Sequence, residues 1–272
     1  MKMFKGLSID ELRRLLDDKK VTVEELFDDA TKLAKEYQGD YNSFVTILDK
    51  CSYKDRDSIL NGIPYSLKDN FSTSNILSTA SSNILKDYVP VYDATVYKKL
   101  KKAGGVLIGK TTLDELAMGG TGTTANTGVV RNPYDKDRLI GGSSAGSAAS
   151  VALGITPFSI GSDTGDSVRK PASFGGLVGF KPTYGRISRY GLFAFASSLD
   201  HVAILSRSVR DAAIVTDILK GKDLNDMTTL DNDKDVYADM LDDSIRGKKL
   251  FYIKEICDLS EYSEVDDELK YT

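Results

Sequence analysis

The sequence predicts an α/β fold, and three observations carry that prediction. Two N-terminal segments open on helix-start signals. Short apolar runs of strand length follow them, and a further helical segment closes on a glycine pair just before another such run. In chain order, Ser8-Ile9-Asp10-Glu11 and Thr22-Val23-Glu24-Glu25 both fit the capping box, in which hydroxyl and carboxylate each satisfy an orphan backbone N–H. Leu12, Leu15 and Leu16, then Leu26, Phe27, Ala30 and Leu33, give each helix an apolar stripe, read as packing. Phe44–Leu48 and Ile63–Leu67 read as strands, the second running into Lys68-Asp69-Asn70. A helix is expected over Val91–Ala103, stopped by Gly104-Gly105, with a strand at Val106–Gly109.

From Thr111 to Ser206 the composition shifts to Gly, Ser, Thr and Ala, interrupted by core-like residues such as Val151 and Leu177. Small residues let backbones approach one another or a ligand closely, so the chemistry is sought here. Beyond it, Lys220–Asp243 is acidic and reads as a linker or solvated helix. Lys249–Lys254 reads as a buried strand, and Ser263–Lys270 as the start of a helix.

Bulk properties narrow the function. With 41% hydrophobic and 28% charged residues the chain has the composition of a globular protein, and the net charge of −4 gives no overall footprint for nucleic acid. Two cysteines, Cys51 and Cys257, cannot build a disulfide framework, and no Cys/His spacing suggests zinc. No apolar run reaches membrane-spanning length and the start is polar, so a cytoplasmic location is expected. There is one histidine, His201, read as an ordinary loop or core residue. A general base must then come from another residue type.

Gly142-Ser143-Ser144-Ala145-Gly146 matches the G-x-S-x-G nucleophile elbow, but the elbow needs a strand before it, and Arg131–Arg138 is polar. A phosphate loop needs Lys-Ser or Lys-Thr after its glycines, and none follows. The remaining reading joins Gly141–Ser147 and Gly161–Ser167 to Lys68. A serine hydroxyl needs a base, and a lysine desolvated among small residues can be one. Backbone N–H groups of Thr164, Gly165 and Asp166 could then hold an oxyanion. Taken from spacing alone, an ordinary pair of Gly/Ser turns fits equally well.

The segments Gly62–Asn70 and Gly141–Pro171, the latter carrying Gly-Ser-Asp-Thr-Gly-Asp-Ser-Val-Arg-Lys-Pro, resemble the amidase signature family. Leu113–Gly120, Lys181–Leu192 and Ala194–Asp200 narrow the likeness to its branch of tRNA-dependent amidotransferases. The resemblance implies one α/β/α domain over 1–272, with a central mixed sheet flanked by helices. Residues 1–40 would be N-terminal helices, 61–222 the catalytic core, and 223–272 a linker with the start of a C-terminally incomplete part. It implies Lys68 as general base, Ser143 as proton relay, Ser167 as acyl-forming nucleophile, and Met118, Gly119 and Gly120 as substrate pocket. The implied activity is a glutaminase feeding ammonia to a Glu-tRNA(Gln) or Asp-tRNA(Asn) amidation. No metal and no cofactor are expected in this chain. ATP and Mg are expected in a partner, within a heterotrimer with B and C subunits where tRNA is held mainly by B. A stand-alone amidase and a non-catalytic assembly protein stay open as alternatives.

Four departures from the family pattern stand out, length the largest. Asp166 replaces a glycine immediately before Ser167, and its carboxylate is expected to turn away from the oxyanion, toward Arg169. Ala145 replaces another glycine. His201–Leu205 lacks the family's Gly-Pro after Asp200, which predicts an altered turn. Family chains also run past the equivalent of Thr272, into residues that hold the substrate's α-amino and α-carboxyl groups.

Overall fold

The computed structural model describes residues 4–231, 234–249 and 251. Both N-terminal helices form where the capping boxes place them, as α1 (Ile9–Asp17) and α2 (Val23–Tyr41). Ser8 Oγ accepts from Glu11 N while Ser8 N donates to the Glu11 carboxylate, and Thr22 and Glu25 repeat the exchange. Each such cap contributes about 1 kcal/mol.

Strands β1 (Phe44–Ile47), β2 (Pro64–Lys68) and β3 (Val106–Thr111) lie within one residue or two of their expected bounds. Helix α3 covers Thr95–Lys102 and so starts four residues later than the apolar pattern suggests. The intervening backbone is committed to loop contacts: Pro90 O accepts from Asn75 N, and Ala94 N donates to Ser72 O. Helix α3 ends as expected, with Gly104 at a φ of 80° and Gly105 N donating to Leu100 O. Then come α4 (Ala145–Ala152), β4 (Phe158–Asp163), α5 (Arg169–Phe174), β5 (Val178–Phe180), β6 (His201–Ser206) and α6 (Val209–Leu219). The residues after Asp200 are therefore a strand rather than a turn, paired antiparallel with β4 from Phe158↔Ser206 to Asp163↔His201.

The fold is α/β, with one mixed sheet in the order β1-β3-β2-β4-β6-β5. Its centre, β3-β2-β4, is parallel, and the outer pairings are antiparallel. On one face Tyr65, Leu67, Phe158 and Ile204 pack with α1, α3 and α6, and the Tyr65 and Phe158 rings stack at 5.5 Å. On the other, α2 packs on Phe44, Val106 and Ile108, while α4 and α5 pack with Ala203 and Leu205. The small residues of α4 sit directly on the strands, where Ser150 Oγ meets Ser66 Oγ at 2.9 Å and Ser147 Oγ meets Thr111 Oγ1 at 2.7 Å.

The chain divides into a unit to Asp239, which holds all of these elements, and a second from Met240. Described residues of the second unit form turns, such as Asp243 N to Met240 O and Lys248 N to Ile245 O. Apart from Lys249 and Phe251, the strand expected at 249–254 and the helix at 263–270 fall outside the described residues. No helix among the described residues is long and apolar enough to cross a membrane.

Candidate active site

Lys68 is the last residue of β2, and it is 0% exposed. Its position follows from topology, since functional groups in open α/β sheets gather beyond the carboxyl ends of the parallel strands. Lys68 Nζ donates to Ser143 Oγ at 2.7 Å, to Ser162 Oγ at 2.9 Å and to Ser162 O at 3.2 Å. Those three acceptors match the three donors of an ammonium. A neutral amine keeps two of them and can instead accept the Ser143 hydroxyl proton. Burial lowers the Lys68 pKa from 10.5 to about 7, against the upward pull of Asp114, Asp163 and Asp200. Near neutral pH, then, a large fraction of Lys68 is unprotonated.

Ser143 lies at the entrance to α4, after a cis peptide bond from Gly142, and is fully buried. The start of α4 is docked on β3 through Gly146 N to Thr112 O at 2.9 Å. A side chain at Gly146 would overlap the backbone of Ser43 and Thr112, so only glycine allows this approach. Ser144 N donates to Ser167 O at 3.0 Å, which ties the two serine segments together. Ser167 is 6% exposed, and its hydroxyl has no hydrogen-bond partner among the described residues. The structure thus brings Lys68 and Ser143 into contact and ties Ser167 to Ser144, the residue after Ser143, without a direct bond from Ser167 to Lys68 or Ser143.

The turn before Ser167 is pinned from behind. Asp163, fully buried, accepts from Val168 N at 2.9 Å and pairs with Arg169 Nη2 at 3.0 Å. Thr164 Oγ1 donates to Asp200 Oδ1 at 2.6 Å, and Asp200 also accepts from Phe195 N and Ala196 N. With its side chains so anchored, the turn leaves the N–H groups of Thr164, Gly165, Asp166 and Ser167 without acceptors among the described residues. Asp166 does turn aside, but to a different partner than expected. Its carboxylate meets Lys170 Nζ at 2.7 Å, because Arg169 is already engaged by Asp163 and by Gly165 O.

Met118, Gly119 and Gly120 sit on the loop beside Ser143. Gly120 O accepts from Gly142 N at 3.0 Å, a Cβ on Gly119 would meet Asp114 at 2.6 Å, and Met118 is 55% exposed. Asp114 organises this wall. Its buried carboxylate accepts from the backbone N–H groups of Thr121, Gly122, Thr123 and Thr124 and from Thr124 Oγ1. Asp114 N in turn donates to Ser143 O at 3.1 Å. Sequence reasoning singled out neither Asp114 nor Ser162, although both lie inside the quoted motifs. An aspartate after an apolar residue and a second serine beside Gly161 carry no local signal of what they will touch. His201 Nδ1 bonds Leu199 O at 2.6 Å and its ring stands edge-on to Tyr184, so it serves the structure at the start of β6.

The chain resembles known proteins along most of its length. The family model "Amidase" matches residues 11–266. The A subunit of glutamyl-tRNA(Gln) amidotransferase from Halothermothrix orenii is 44% identical over 269 residues, covering 97% of this chain and 56% of that protein. The crystal structure of the same amidotransferase's A subunit from Thermotoga maritima superposes with a TM-score of 0.78 at 43% identity, over 84% of this chain and 50% of the other. A 6-aminohexanoate cyclic dimer hydrolase complexed with substrate superposes with a TM-score of 0.79 at 28% identity, over 88% and 51%. The chain spans about half the length of the curated relatives it matches.

Proposed function

The chain belongs to the amidase family, and from that premise we propose that it is the glutaminase part of a tRNA-dependent amidotransferase. The observation that carries the reading is the buried contact of Lys68 Nζ with Ser143 Oγ at 2.7 Å, with the lysine pKa near 7. Relatives named as the amidotransferase's A subunit, at 41–50% identity, favour glutamine over the amide of the 28% identical hydrolase.

Neutral Lys68 takes the Ser143 hydroxyl proton as Ser143 takes that of Ser167. Ser167 Oγ bonds to the carbon of glutamine's side-chain amide, and the N–H groups of Thr164, Gly165 and Asp166 receive the oxyanion. Collapse breaks the C–N bond while the proton returns to nitrogen through Ser143, and ammonia leaves. Water, deprotonated by the same relay, cleaves the glutamyl ester to glutamate. Met118, Gly119 and Gly120 line the amide's pocket. Ammonia would pass to partner B and C subunits, where ATP and Mg serve amidation of Glu-tRNA(Gln) or Asp-tRNA(Asn) and tRNA is held mainly by the B subunit.

The test is co-expression with B and C subunits, assaying glutamine hydrolysis for wild type and Ser167→Ala. Loss of activity in the variant is expected. Equal activity would sink the reading, and ammonia released from simple amides in preference to glutamine would favour a stand-alone amidase.

A further inference from the structure

A basic groove lies at the far end of the sheet. The turn Gly104-Gly105 precedes β3, so it sits at the amino end of the parallel strands, about 17 Å along β2 from Lys68. There a groove of about 420 Å³ is lined by Lys98, Lys101 and Lys102 of α3 on one side. Lys54 and Arg56, from the segment before β2, line the other, with Tyr53 beside them.

Basic residues in the last turn of a helix complement its dipole, which accounts for some of α3's lysines. It does not account for Lys54 and Arg56, which reach the same groove from a segment remote in sequence. All five cations are exposed, no carboxylate lines the groove, and none of the five is in an ion pair among the described residues. Asp55 and Asp57 flank Arg56 in sequence but do not line the groove, and the Asp55 carboxylate is held by Tyr53 OH at 2.9 Å and Asn61 Nδ2 at 2.6 Å. Lys98 and Lys101 rest over the rings of Tyr190 and Tyr97, which leaves their ammonium groups open to solvent on one side. In a chain of net charge −4, five exposed cations in one groove, none in an ion pair among the described residues, concentrate positive charge there.

We propose that this groove binds the phosphodiester backbone of RNA. Phosphates bind by charge alone, whereas a protein partner needs apolar anchors, and the groove offers only the Tyr53 ring. RNA as the source of the phosphates rests on the amidotransferase reading, while the groove's affinity for a polyanion does not. The groove gives this chain a direct RNA contact of its own, in addition to the contacts made by the B subunit.

The experiment measures binding of unfractionated tRNA to the full chain by fluorescence anisotropy over a salt series, with a poly-aspartate peptide as competitor. Lys101→Glu/Lys102→Glu and, on the opposite wall, Lys54→Gln/Arg56→Gln are compared with Lys32→Glu/Lys86→Glu outside the groove. Both groove variants should weaken binding at least tenfold, and the neutral pair should flatten the salt dependence by about two counterions. The outside pair should change affinity less than threefold. Groove variants that bind tRNA like wild type would overturn the proposal, and so would poly-aspartate that binds the groove while tRNA fails to displace it. Glutamine hydrolysis is scored separately. Intact tRNA binding without glutamine hydrolysis by the chain co-expressed with B and C subunits would defeat the amidotransferase reading and leave the groove standing.

Discussion

Lys68 and Lys110 project from opposite faces of two neighbouring parallel strands, since Lys110 pairs in register with Leu67 and not with Lys68. Both side chains are fully buried, and both amines are pulled down by that burial, to about 7 and about 8. Their surroundings differ. Lys110 Nζ bonds Phe71 O and Ser78 Oγ and stands 3.4 Å from the Asp69 carboxylate, whereas Lys68 meets no carboxylate directly, only hydroxyls and a carbonyl. One lysine ties a loop to the sheet. The other is left with a hydroxyl whose proton it can take.

That difference makes Lys68 costly to keep. At pH 6 the folded and unfolded chains both carry its charge, and the folded one bears the burial cost. Between pH 7 and 10.5 the unfolded chain binds a proton that the folded chain lacks, so stability rises with pH across that window. Lys68→Met is expected to raise stability at pH 6 by about 1–3 kcal/mol while removing activity, with the gain shrinking toward pH 10. Urea denaturation at pH 6 and pH 9 checks both halves. Lys110 contributes a slope of the same sign, so the variant retains part of the pH dependence.

Asp114 is the largest of the charges holding the Lys68 pKa up, and it also gathers four loop N–H groups. Asp114→Asn should cost about 2–4 kcal/mol, because an amide NH₂ placed against backbone donors leaves them unsatisfied. In the surviving folded enzyme the pH midpoint for kcat/KM should move below 7, as the lysine loses its strongest counter-charge. A purely structural role would lower stability and leave that midpoint in place.

The Asp166 carboxylate, next to the proposed nucleophile Ser167, is compensated by Lys170 Nζ at 2.7 Å. Lys170→Gln would leave a lone carboxylate one residue from Ser167. A fall in kcat of about tenfold with little change in KM is expected, equivalent to roughly 1.4 kcal/mol of oxyanion stabilisation. Adding Asp166→Gly should restore most of the loss, and Asp166→Gly alone should change kcat only a few-fold. Steady-state kinetics on the four proteins of this cycle decide it.

Two glycines test the packing. Gly146→Ala should destabilise by about 2–4 kcal/mol, since its methyl group would be forced into the backbone of Ser43 and Thr112. Gly165→Ala meets nothing within 4 Å and should stay within about 0.5 kcal/mol of wild type by thermal denaturation.

Local signals were legible in the sequence, and long-range ones were not. Ser8, Glu11, Thr22 and Glu25 announce their helices because a capping box is complete within four residues. Gly104-Gly105 announces the end of α3 for the same reason. The true start of α3 was hidden, because Pro90 and Ala94 are held by Asn75 and Ser72, contacts no periodicity displays. The strand His201–Ser206 carries an apolar run, Val202–Leu205, but the family's Gly-Pro pattern drew the expectation of a turn there, and pairing with β4 settles it as a strand. At the site, Lys68, Ser143 and Ser167 stand in recognisable motifs. The partners that set their chemistry, Ser162 against the amine and Asp114 behind the loop, depend on chain segments converging from far apart. Asp166 shows the limit most clearly, because its choice of Lys170 over Arg169 turned on Asp163 having claimed the guanidinium first.

Acylation of Ser167 with Lys68 as the base is checked by treating the protein with an activated phosphonate across pH 5–9 and mapping the adduct by peptide mass. Modification is expected at Ser167, at a rate rising with pH through a midpoint near 7 and lost in Lys68→Met. An adduct on another residue, or an equal rate in Lys68→Met, would contradict it.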